Sequence, residues 1–193
     1  MNGNSKSLTL KQIFKRSFLT ALIISLVLSA IAGIIIFLLG TFDEIEFKIL
    51  FTTFVIGVFS LTGLINASLL DRESFKVYGF SALTISVLAS LLLLLSIWFN
   101  FDHTQITTDL VIIALASTHI SLLLVINTIK DIVRLVRVLT FSCIVILAGL
   151  LIYLFNNWSI LDNSVYYRFI GIFAILDALG TITVPILNKL IKS

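Results

Sequence analysis

One cysteine, Cys143, stands in 193 residues, so the chain cannot close a disulfide within itself. It lies inside an apolar run and reads as a small buried apolar residue. Charge is scarce as well: Asp, Glu, Lys and Arg make up 12% of the chain, about half the share of a soluble domain. Strict alternation of apolar and polar residues is absent, which excludes the strands of a membrane barrel. Paired cysteines, a His-x-x-x-His helix motif and a glycine-rich phosphate loop are all missing. His103 beside Asp102 offers two ligands, too few for a metal site, and a haem would want a second histidine within the apolar runs. The expectation is a protein without metal or cofactor, and not an enzyme.

What the chain has is apolar length. Hydrophobic residues are 59% of it, and its mean hydropathy is +1.16. Six runs stand out, at 17–39, 47–70, 77–99, 110–129, 139–155 and 169–187. A bilayer core of about 30 Å takes about 20 apolar residues as a helix, the form that satisfies every backbone group in lipid. The expected fold is all-α, a polytopic bundle of six transmembrane helices in one transmembrane domain over 1–193. The first run has a basic flank and an Ala30-Ile31-Ala32 triplet like a cleavage site. It continues to Leu39, too long for a signal core, and is read as a helix that stays.

The basic residues sit on one side of this pattern. Eleven of thirteen fall before the first run, between the second and third, between the fourth and fifth, or after the sixth. The remaining connections hold Lys48 and Arg168 among Asp43, Glu44, Glu46, Asp102, Asp109 and Asp162. This is the positive-inside pattern with both termini cytoplasmic. It accounts for the net charge of +3 without nucleic acid. The expected partners are the lipid bilayer and a membrane-protein partner or second copy. Ile, Phe, Asn and Lys usage points to an AT-rich genome, hence to a prokaryotic plasma membrane. Leu10, Ile13 and Phe14 alternate with Lys11, Lys15 and Arg16 as an interfacial lead-in would. Trp98, Trp158, Tyr166 and Tyr167 fall at the outer ends of their runs.

The chain also repeats. Phe14-Lys15 recurs as Phe75-Lys76, and at the same offset Ile65-Asn66 recurs as Ile126-Asn127. Hydropathy extends this to three parallel helical hairpins, at about 14–73, 75–131 and 134–190.

Two ionisable side chains lie deep in the runs. Asp177 sits mid-run, with Gly180 and Thr181 on the same helix face. A charged Asp there costs about 2.5–3.5 kcal/mol and must be paired, protonated or wet. His119 lies among Ser117, Thr118 and Ser121. It is nine residues past Leu110 and Asp177 is eight past Phe169, so the depths agree within about 2 Å. A His119–Asp177 contact is expected, either as a clip between helices or as a proton relay. Thr181, Asn66 and Asn127 complete the candidate polar midplane site. Pro185 removes one helical hydrogen bond and is expected to kink the last helix. Gly79-Phe80-Ser81-Ala82 is similar to the serine motif of rhomboid intramembrane proteases, but Ser81 falls at a run's cytoplasmic edge and His119 near the middle of another.

The stretch from Phe173 to Thr181, followed by Val184-Pro185-Ile186-Leu187, resembles the last helix of uncharacterised prokaryotic six-helix integral membrane proteins. His119 with Ser121-Leu122-Leu123-Leu124 is similar to their fourth helix. The resemblance implies a six-helix membrane protein and carries no activity. The first functional expectation is a non-catalytic accessory or scaffold subunit. The alternative is a small carrier or channel for a proton, ion or small solute using the Asp–His pair.

Overall fold

A computed structural model describes residues 10–39, 44–99, 104–126, 131–157 and 164–190. They form six helices: α1 (Leu10–Leu39), α2 (Glu44–Leu69), α3 (Lys76–Phe99), α4 (Thr104–Leu124), α5 (Asp131–Asn156) and α6 (Ser164–Leu190). A short 3₁₀ turn, Glu73–Phe75, precedes α3. No strand occurs among the described residues. All six helices are long and apolar enough to cross a membrane.

The helices outrun the apolar stretches that predict them. α5 starts at Asp131 and takes in Arg134 and Arg137, and α6 starts at Ser164. α4 is shifted the other way, from Thr104 to Leu124, with a turn at Val125 and a bend at Ile126. Helix ends tolerate polar residues, because the ladder satisfies the backbone while the side chains reach out. Charges there suit the helix dipole: Glu44 and Glu46 open α2, Asp131 opens α5 and Lys189 closes α6. Arg72, in extended backbone at φ −116° and ψ 113°, breaks the chain between α2 and α3. Pro185 lies inside α6, which continues past it to Leu190.

The chain divides into two compact units, Met1–Phe101 and Asp102–Ser193. In the first, α2 packs against α1 and α3; in the second, α5 packs against α4 and α6. The expected middle hairpin, 75–131, spans the boundary between units. Both units bury polar and small side chains and expose large apolar ones. Ser25, Thr53, Ser60, Thr62, Asn66 and Ser86 are buried in the first, while Phe54, Phe80 and Leu91 face outward. Thr107, Thr118, Ser121, Thr140 and Asp177 are buried in the second, while Ile175, Leu179 and Ile182 face outward. A water-soluble bundle would do the reverse. The arrangement is compatible with a multi-pass membrane protein, in which small and polar residues make the helix contacts.

Glycines let the backbones approach. A Cβ on Gly63 would strike the Phe18 ring, and one on Gly180 would strike the Thr140 side chain. These two positions set the α1–α2 and α5–α6 contacts.

Candidate functional site

The second unit brings three of the five candidate residues together. His119 Nδ1 lies 3.3 Å from Asp177 Oδ2. Its other ring nitrogen, Nε2, lies 2.8 Å from the Thr181 hydroxyl. That hydroxyl donates to Asp177 Oδ1 at 3.4 Å. Asp177 is the middle residue of α6, with thirteen residues of the helix on either side, and is 7% exposed. Thr181 is one turn along the same face, so one imidazole from α4 spans both side chains.

The result is a ring of three polar contacts, and its hydrogens can be counted. If the pair holds one proton, the imidazolium donates to Asp177 and to Thr181, and Thr181 donates to Asp177. All three contacts then carry a hydrogen. Moving that proton from Nδ1 to Oδ2 gives a neutral acid and a neutral imidazole. Nε2 still donates to Thr181 and Thr181 to Asp177, so the ring stays closed. Removing the proton leaves two hydrogens for three contacts: the Nδ1–Oδ2 contact goes without one if the imidazole hydrogen is on Nε2, and one of the two hydroxyl contacts does if it is on Nδ1. The ring is complete only when it is loaded.

A cavity of about 180 Å³ adjoins the ring. Ile112, Leu115, Ala116 and His119 of α4 form one wall, at i, i+3, i+4 and i+7. Ile144, Leu147, Ala148 and Leu151 of α5 form the other at the same spacing. Asp177 contributes from α6. The two helices are antiparallel neighbours, so His119 and Ile144 mark one end of the cavity and Ile112 and Leu151 the other. Beyond that second end, Asn156 donates to both carboxylate oxygens of Asp109, at 2.9 and 3.2 Å. On the opposite side of the ring, Leu123, Val133, Ile144 and Val184 form a buried apolar cluster. Arg137, which lies between Val133 and Ile144 on α5, donates to the Ile126 carbonyl at 3.3 Å, just after the end of α4. Along the unit the order is polar latch, cavity, ring and apolar plug.

Asn66 belongs to the first unit. It is fully buried, and its amide donates to Ser86 Oγ at 3.1 Å, while Ser86 donates to the Ala82 carbonyl. This is an α2–α3 contact of the kind that joins membrane helices. Asn127 lies outside the described residues, as do Asp102, His103 and Trp158. Trp98 donates to Thr52 Oγ1 at 3.0 Å, and the Tyr166 hydroxyl donates to the Leu150 carbonyl. Ser81 donates to the Tyr78 carbonyl of its own helix. Among the described residues no group of three or more His, Cys, Asp or Glu is placed to hold a metal ion.

The α5 wall of the cavity escaped the sequence reading. Ile144, Leu147, Ala148 and Leu151 are indistinguishable from lipid-facing residues in an unbroken apolar run. The only signal is the pair Ala116 and Ala148, whose small size leaves the space. Comparison with protein-family models, with curated proteins and with solved structures gave no match.

Proposed function

We propose that the chain is an integral membrane protein that carries protons or a small solute, with the His119–Asp177–Thr181 ring as its working site. The observation that carries this reading is the cavity: both ionisable residues line it rather than being sealed among side chains. A clip needs no space beside it. A polar membrane contact is worth about 0.6 kcal/mol on average, less than the roughly 2.5–3.5 kcal/mol insertion cost of a charged Asp. The proposed topology has six spans, both termini cytoplasmic, and three parallel hairpins by descent, in a prokaryotic plasma membrane. The apolar plug then lies on the cytoplasmic side of the ring, and the cavity extends toward the outside.

The accessory or scaffold reading keeps one observation in its favour. α4 and α6 each pack on α5, and the ring ties the two outer helices together.

The two readings separate in reconstituted liposomes loaded with a pH-sensitive dye. A proton carrier acidifies the lumen in response to an imposed gradient or potential. Asp177→Asn and His119→Gln, checked for folding by gel filtration and circular dichroism, should each cut that rate at least about tenfold, since each removes one end of the proton-transfer contact. Equal rates in all three proteins and in empty liposomes would leave the ring as a clip.

A further inference from the structure

The site's ligand class follows from charge and volume. We propose that the cavity binds a small lipophilic ammonium ion, about the size of benzylamine, in exchange for one proton. The proposal rests on the reading of the ring as a working protonatable site.

Volume sets the apolar part. A dry cavity of about 150 Å³ holds a benzene molecule. This one is about 180 Å³, lined by Ile, Leu and Ala side chains and open along one side. It has room for one six-membered ring and one or two further heavy atoms.

Charge sets the polar part. The cavity's titratable lining is His119 from α4 and Asp177 from α6, and α5 contributes none. Elsewhere on α5, Asp131 pairs with Arg134, Arg137 reaches the Ile126 carbonyl, Cys143 precedes the lining residue Ile144 in sequence, and the Tyr153 ring lies against Tyr166. On α4, Asp109 is engaged by Asn156. Asp177 is the one carboxylate among the cavity's lining residues, and its side chain is 10% exposed. When loaded, the site carries a carboxylate and an imidazolium, or their neutral equivalents, and its net charge is zero. A bound ammonium beside both would leave an uncompensated buried charge, which costs several kcal/mol. Neutrality returns when the imidazolium gives up its proton. The balanced exchange is ammonium in, one proton out through the cavity. The carboxylate then faces the ammonium, and neutral His119 accepts from Thr181. A neutral ligand of the same shape gains the walls alone and releases nothing.

The test uses the full-length protein in detergent and benzylamine as the probe, with benzyl alcohol as the uncharged control. Binding is followed by calorimetry, and proton release by a dye in weakly buffered solution between pH 6 and about 8, where an alkylamine stays protonated. The expected result is about one proton released per amine bound, with the apparent Kd falling about tenfold per unit rise in pH while the site is loaded. Asp177→Asn should abolish amine binding. His119→Gln should retain amine binding but lose the imidazole's share of the proton release, leaving only the proton that Asp177 itself holds. Ala148→Leu, which fills the cavity and leaves the ring residues in place, should weaken binding at least about tenfold. Equal binding of amine and alcohol without proton release would overturn the exchange, and so would no amine binding. If wild-type liposomes still conduct protons in an Asp177-dependent way, such a failure belongs to the ligand class alone. If they do not, the carrier reading falls with it.

Discussion

Thr181 turns a pair of side chains into a ring, and its hydroxyl takes part in two of the three contacts. With the site loaded it accepts from Nε2 and donates to Oδ1; with the site empty, one of the ring's three contacts has no hydrogen. Thr181→Val keeps the branched shape and removes that link. A membrane hydrogen bond of about 0.6 kcal/mol, and at most about 1.7, sets the expected loss. The variant should fold, and its proton affinity should shift by about threefold to twentyfold. Nitrogen-15 spectra of the imidazole, recorded in a His103→Gln background so that one histidine remains, would show it. The Nε2 signal should move and the Nδ1 signal should stay. An unmoved Nε2 signal would mean that the ring is not closed in the membrane. This part of the site was legible in the sequence, because depth counting aligned His119 with Asp177 and helical spacing put Thr181 beside it. Asn66 was read into the same site on the repeat alone. It lies in the first unit, where its amide donates to Ser86.

At the scale of the helices, the site depends on how closely α6 lies against α5. Gly180 sets that approach, since a Cβ there would meet the Thr140 side chain, which is 2% exposed and already donates to Val136. Gly180→Ala should cost about 1–3 kcal/mol by overpacking. It should also shift Thr181, the next residue, and slow proton flux. Gly149 and Gly171 have open space where a Cβ would go, so alanine there should be neutral or stabilise by up to about 1 kcal/mol. Thermal melting of the three variants in one detergent checks the order. Loss of stability in all three would point to helix flexibility rather than to the Thr140 contact. The existence of six long helices was legible because six apolar runs are each about long enough to cross a bilayer as a helix. Their ends were not, since polar residues such as Asp131 and Ser164 join a helix as readily as they leave it. Pro185 adds a local weakness one turn beyond Thr181. It offers no amide to the Thr181 carbonyl, so α6 is held less tightly there than elsewhere.

The whole molecule consists of two three-helix units, a division that hydropathy does not show. Apolar runs announce how many helices there are, while their grouping depends on which faces carry small and polar residues. Gly63 against Phe18 and Gly180 against Thr140 are such contacts, and both join helices within one unit. The proposed topology rests on charge instead. A green fluorescent protein fused after Ser193 should fluoresce, and an alkaline phosphatase fused there should be inactive, if the C-terminus is cytoplasmic. The opposite pair of results would reverse the orientation and put the cavity on the cytoplasmic side. The plug and the cavity then acquire an electrical meaning. A proton reaching the middle of α6 from one face crosses about half of the transmembrane field. That is about 1.2 kcal/mol per 100 mV, or roughly a sevenfold change in occupancy. Exchange of an ammonium for that proton moves no net charge to the same depth. Loading the ring should therefore respond to voltage, while swapping its cation should not.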